Sequence, residues 1–339
     1  MPQIASIAPH SIAPSSRGRR EECVPARQVA GVLRSTRRDL IVGALAAFAG
    51  DLRGASPSVE FIFGTYGMKS LPVPDALKVT AEAGYDGIEL CVMAGYPADA
   101  AGVTPATVRQ MRSLLAGRRL TVPAVQDNLP LLAAPQQMES NRERIRRIAE
   151  IAHGLGEDRP PVLDTVLGGG RSDWPGHRSR MADELAQWAR IAEGSGLTIA
   201  IKAHAGHAMN SPERALDLLR QVGSPRIRLV YDYSHFSLEG LSLEDSLRSL
   251  LPDTVLISLK DTAGTREAPK YLLPGDGATD YLQYFRLLAR LGYSGPIGVE
   301  VSSMLHRQPD YDPVRTANLC YQRLAPLFTR AGLARKRNS

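Results

Sequence analysis

Eight short β-rich runs alternating with helical patterns constrain the fold of this chain more than any other feature. The runs fall at 59–63, 87–91, 120–126, 161–166, 197–202, 227–232, 255–259 and 297–301. Between them lie stretches such as "PDALKVTAEAG", "NRERIRRIAEIAHGLG" and "DYLQYFRLLARLG", whose apolar residues recur at the spacing of one helix face. Thr104-Pro105 and Ser211-Pro212 read as an N-cap followed by proline in the first turn, and Gly84, Gly194, Gly223 and Gly292 stand where helices are expected to stop. Repeated strand–helix alternation argues for a parallel sheet covered by helices, and eight units argue that the sheet closes. The fold class is therefore α/β, as a (β/α)8 TIM barrel over residues 59–332. An open doubly wound sheet is the alternative, but "FGTYGM" after the first run lacks the glycine pattern of a dinucleotide site.

The flanks read differently. Residues 1–58 form an export-signal-like leader: Arg37 and Arg38 precede the uncharged run from Leu40, which ends in the small-residue pattern Ala47-Phe48-Ala49. That is the outline of a twin-arginine signal, with an apolar run too short for a stable membrane span. The expected location is periplasmic or exported, and otherwise cytoplasmic. Residues 333–339 are read as a basic tail. Residues 1–49 carry seven arginines and three acids, hence +4 of the net +6, so the barrel itself is nearly balanced. A polyanion-binding face is not indicated, and no nucleic-acid partner is expected. Cys23, Cys91 and Cys320 are too far apart for a metal finger or a disulfide framework.

Chemistry in such barrels gathers where strands end. The polar residues at those ends are Glu89, Gln126, Asp127, Asn128, Asp164, Lys202, His204, Asp232, His235, Ser258, Lys260, Asp261 and Glu300. Each desolvated charge costs several kcal/mol unless paired, so this collection describes a site better than a core. In "LTIAIKAHAGH", side-chain alternation puts Thr198, Ala200 and Lys202 on one face, which aims an ammonium group at the strand's inner end.

The segments "GYDGIEL", "NSPERALDLLRQVGSPRIRLVYDYSHF", "LISLKD", "LLPGDGATDYLQYF" and "GYSGPIGVEVSSM" resemble those of the xylose isomerase-like TIM barrel proteins, the sugar phosphate isomerase/epimerase group. The resemblance covers roughly residues 59–330. It implies a divalent metal, often manganese, held by a Glu, an Asp, a His and a Glu at the ends of the fifth to eighth strands, with the two glutamates moving a proton on carbon beside a carbonyl. Asp232 and Glu300 match the sixth- and eighth-strand ligands, whereas Lys202 and Ser258 stand at the other two positions. The expected metal is therefore none, or a weakly bound manganese or magnesium ion on the incomplete set Asp232 and Glu300.

A lysine between Asp232 and Glu300 would neutralise two carboxylates that otherwise repel, and would oppose a divalent cation there. Neighbouring carboxylates also keep a lysine protonated, against a Schiff-base role. The expected catalytic residues are Glu300 as acid or base, Lys202 stabilising developing negative charge, and Asp232 holding Lys202. Glu89, His204, His235, Lys260 and Arg266 are expected to bind substrate, with Lys260 and Asp261 as a charge pair shaping the rim. The insert "TAGTREAPKYLLPGDG" is read as a lid carrying Arg266 and Lys270. The expected function is isomerisation or epimerisation of a sugar or polyol by moving a proton alpha to a carbonyl. A non-catalytic carbohydrate-binding barrel and a lyase acting on a keto-sugar are the alternatives. The expected partners are a small carbohydrate and possible further copies of the chain, without stable membrane insertion.

Overall fold

Each expected run becomes a strand, and the last pairs with the first. A computed structural model describes residues 58–156 and 158–336. The barrel strands are β1 Ser58–Gly64, β2 Gly87–Cys91, β3 Thr121–Gln126, β4 Val162–Val166, β5 Ile199–Lys202, β6 Ile227–Asp232, β7 Thr254–Leu259 and, after a hairpin, β10 Pro296–Val299. Neighbours along this sequence pair in parallel, and β10 pairs with both β7 and β1, which closes the ring. The export-signal reading of the leader, with Cys23, lies outside the described residues.

Period-two alternation sorts the strand residues into layers. Inside the ring, Ile62, Ala124, Ala200, Val230 and Leu256 form a small apolar cluster of their own. Two residues further along those strands come Gly64, Gln126, Lys202, Asp232 and Ser258, so a polar layer stands directly on an apolar floor. The outward strand faces pack on the helices in a separate, larger core that includes Phe61, Phe63, Trp188, Tyr231, Phe285 and Phe328.

Helix ends follow local chemistry at most of the expected places. Thr104 Oγ1 accepts from Thr107 N at 3.2 Å and Ser211 Oγ from Arg214 N at 3.4 Å. Gly84 and Gly223 close their helices in the left-handed region that favours glycine. Gly194 does not: the helix Trp174–Ser195 runs through it and stops at Gly196, whose φ is 75°. Gly196 is the residue that adopts the left-handed turn, so it sets the boundary.

The insert after β7 is folded rather than loose. Strands β8 Asp261–Gly264 and β9 Pro269–Leu272 form an antiparallel hairpin. At the other end of the barrel, β11 Ala334–Arg335 pairs with the start of β1, and Arg335 donates to both oxygens of Asp86 and to Gly84 O at 2.6, 2.9 and 2.7 Å. Among the described residues no helix is long and apolar enough to cross a membrane.

Candidate active site

Five charged side chains converge at the C-terminal mouth in alternating sign. Lys202, the last residue of β5, is 2% exposed. Its Nζ donates to Glu300 Oε2 and lies 2.9 Å from Asp164 Oδ2 as an ion pair, off the line a hydrogen bond requires. Lys260, the first residue after β7, donates to Asp232 Oδ2 and, at 2.7 Å, to Glu300 Oε1. The order is Asp164–Lys202–Glu300–Lys260–Asp232, and each ammonium offsets the desolvation of two carboxylates. Glu300 lies just beyond β10, and its backbone N–H still donates to Leu259 O at 3.1 Å, which fixes the carboxylate between the two lysines.

This arrangement corrects two expectations. Lys202 does not sit between Asp232 and Glu300; it faces Asp164 and Glu300, and Lys260 takes the place beside Asp232. Nor do Lys260 and Asp261 pair. Successive side chains leave an extended backbone on opposite sides, so Lys260 turns into the mouth while Asp261 Oδ2 accepts from the Gly275 and Gly277 amides at 2.7 and 3.2 Å.

The electrostatics follow from the pairing. Burial alone would lower Lys202, but Asp164, Glu300, Glu89 and Asp232 hold its pKa well above the ordinary value. Burial would raise Glu300, and the two ammonium groups overcome it, leaving this carboxyl well below its usual range. Glu89, at the end of β2 and 3% exposed, behaves oppositely: burial, then the Asp164 charge, push it well up against the pull of Lys202. Burial also raises Asp164, against the opposing charge of Lys202.

A histidine wall stands beside the charged layer. Tyr271 on β9 meets His235 Nδ1 at 3.1 Å, and its ring lies 5.6 Å from Lys260 Nζ. His235 Nε2 is 3.6 Å from Asp232 Oδ2 and has no hydrogen-bond partner. The His204 ring packs 4.1 Å from those of both His235 and His207, and its Nδ1 accepts from Gly206 N at 3.1 Å, which leaves any ring proton on Nε2. Burial first, and neighbouring rings and Lys260 second, hold His204 neutral; burial, Lys260 and Lys202 do so for His235. The loop carrying His204 and His207 is pinned from outside: Arg171 donates to Ala205 O and grips Glu239 with both terminal nitrogens, while Arg214 donates to Ala208 O at 2.7 Å.

Of the residues expected to act or bind, the structure brings together Glu300, Lys202, Asp232, Glu89, His235, Lys260 and His204. Arg266 stands apart on the hairpin turn, half exposed, against Glu267 at 2.8 Å and Glu239 at 3.7 Å. Asp164 received no role from the sequence, although its place two residues after Val162 on an inward face signalled it. Tyr271 and His207 had no such signal, because hairpin and loop geometry place them. A cavity of about 970 Å³ opens at the opposite barrel end beside Glu60, Thr121, Thr198, Thr254 and Tyr293, where Glu60 already faces Arg159 at 3.5 Å. Convergent ionisable groups mark the C-terminal mouth as the candidate site instead.

Known proteins resemble this chain in sequence and in fold. The chain is 27% identical over 239 residues to 3-dehydroshikimate dehydratase of Pseudomonas aeruginosa, an alignment covering 68% of this chain and 36% of that protein. It thus spans about a third of the length of that relative. Inosose isomerase of Bacillus velezensis is 27% identical over 126 residues, 35% of this chain and 45% of the relative. The solved xylose isomerase domain protein from Alicyclobacillus acidocaldarius superposes with a TM-score of 0.66 at 20% identity, over 81% of this chain and 99% of that one, and so shares the fold. A model of the xylose isomerase-like TIM barrel family matches residues 77–317. With more than half of its length so matched, the chain belongs to the xylose isomerase-like TIM barrel family.

Proposed function

We propose that this barrel moves a proton alpha to a carbonyl on a sugar or polyol-type substrate, with two lysine ammonium groups standing where relatives would place a metal ion. The observation that carries this reading is the sharing of Glu300 by Lys202 and Lys260. The donor set does not suit a divalent ion: both Glu300 oxygens and Asp232 Oδ2 already face ammonium nitrogens, which repel a cation, and Ser258 brings a hydroxyl where imidazole would ligate. Among the described residues no three His, Cys, Asp or Glu side chains converge as a metal cradle.

In this reading Glu300, ionised at neutral pH, takes the proton from carbon. Lys202 and Lys260 face the negative charge that then develops on oxygen, a fixed electrostatic role that costs no reorganisation. His204, half-buried, and His235, buried, are both neutral and orient hydroxyl groups. The test is solvent-deuterium exchange at substrate carbon across a panel of ketoses, aldoses, inososes and keto-cyclohexene acids. Exchange in the wild type that disappears in Glu300→Gln supports the reading; saccharide binding without exchange from any panel member sinks it in favour of a non-catalytic barrel.

A second reading, a lyase acting on a keto-sugar or similar ring, is favoured by one observation. The 3-dehydroshikimate dehydratases of two Pseudomonas species match 68% of this chain, about twice the share of the inosose isomerases. Both reactions begin with the same proton abstraction, and loss of water from a panel member separates them.

A further inference from the structure

Four buried acceptor atoms on three adjacent strands accept no hydrogen bond: Glu89 Oε1 on β2, Gln126 Oε1 on β3 and both carboxylate oxygens of Asp164 on β4. They belong to side chains 3%, 4% and 1% exposed, so they are withdrawn from bulk solvent. Gln126 and Asp164 are level with each other in the β3–β4 register. Glu89 and Asp164 act on each other as neighbouring buried carboxyl groups, and two ionised carboxylates offer no donor to share. A proton on one of them supplies the donor that these unpartnered oxygens lack. Space for this carboxyl group is built in as well. Gly64, paired with Glu89 across β1 and β2, lacks the Cβ that would lie 3.3 Å from Glu89 Oε2 and 3.2 Å from Val299 O.

We propose that Glu89 is the proton donor of this site, a catalytic acid that shares one proton with Asp164 and delivers it to the substrate's carbonyl oxygen. The assignment rests on the proton-transfer reading above and completes it. As Glu300 takes the proton from carbon, that C–H pair becomes the new C=C bond, and the carbonyl π pair takes the proton from Glu89. A neutral enediol forms, Glu300 is left protonated and Glu89 ionised. Strands β2 and β10 flank β1, so acid and base reach the substrate from one side of the mouth. The groups facing Glu89 fit both stages: Asp164 and Glu300 oppose its ionisation beforehand, and Lys202 stabilises the carboxylate afterwards. Their opposed environments, one carboxyl pushed up and the other down, are the pattern by which two like groups divide into acid and base.

Infrared spectroscopy of the full-length protein labelled with ¹³C-glutamate tests the proton directly. A label-sensitive carboxylic-acid carbonyl band that persists at neutral pH and vanishes in Glu89→Gln is expected. Absence of that band in the wild type overturns the proposal without touching the function reading. On a panel member that exchanges deuterium, Glu89→Gln is expected to slow exchange about 10²–10⁴-fold and to abolish the fall of the wild-type rate at alkaline pH. Unchanged exchange in Glu89→Gln overturns the donor role, and a carboxylic-acid band with no wild-type exchange overturns the function reading instead. Gly64→Ala provides a second variant that keeps the carboxyl group but crowds it, and it is expected to slow exchange while retaining the band.

Discussion

Lys202 and Lys260 divide one carboxylate between them: Lys202 takes Glu300 Oε2 and Lys260 takes Oε1, while Asp164 and Asp232 close the outer ends. A row of buried charges of this kind is stable only as a whole, because removing one member strands its neighbours in a medium that solvates them poorly.

Lys260→Met leaves Asp232 without a lysine partner and Glu300 with Lys202 alone. The expected loss is about 3–5 kcal/mol in urea unfolding, the usual cost of breaking a buried pair from one side. Adding Asp232→Asn to that variant is expected to recover much of the loss, and a double variant no more stable than the single one contradicts the pairing.

Substitution at two strand ends should create a metal site. Lys202→Glu with Ser258→His removes one ammonium and supplies the two missing ligands at the ends of β5 and β7. Manganese or zinc is expected to stabilise this variant against heat by the logarithmic dependence of ligand-linked folding, and to leave the wild type unshifted. A wild-type protein purified with stoichiometric divalent metal refutes the substitution.

Stability should fall as pH rises above the ordinary glutamate range. Glu89 is raised in the folded state, so between about pH 4.3 and its folded value the native protein holds a proton that the unfolded chain has lost. The slope from this group is at most about 1.4 kcal/mol per pH unit. His204 and His235 are lowered, so their stabilisation is present above about pH 6.5 and lost as pH falls. Unfolding free energies measured across this range should show a flatter alkaline side in Glu89→Gln and a flatter acidic side in His235→Asn.

Arg171 is expected to act on the histidine loop from outside. Arg171→Ala releases Ala205 O and Glu239, so amide hydrogen exchange across residues 203–209 should accelerate. Arg171→Lys should restore little of the protection, because one ammonium cannot reproduce the two-pronged grip on Glu239. Unaltered exchange in Arg171→Ala would show that Arg214 suffices.

The strands were legible because each is short, apolar and bounded by capped helices, and closure followed from their number. Lys202 and Glu300 were legible for the same reason, as polar residues ending inward-facing runs. Partnership was not: period-two alternation says that Lys202, Asp164 and Asp232 all face inward, but barrel shear decides which of them meet. Lys260 read as a rim charge because its motif neighbour is acidic. The hairpin that brings Tyr271 to His235 was invisible for a different reason: "TAGTREAPKYLL" has too weak an alternation for strand pairing to be read from it, and tertiary contact sets its course.

The floor of Ile62, Ala124, Ala200, Val230 and Leu256 has an evolutionary corollary. Because it seals the hollow of the barrel below the reactive tier, a change at one strand tip is felt by the charges paired with it and not by the apolar foundations. A glutamate can become a lysine, or a histidine a serine, at a strand tip while the masonry beneath keeps its shape. A scaffold of this kind lets lineages rewrite their reagents in matched sets, each charge with its counter-charge.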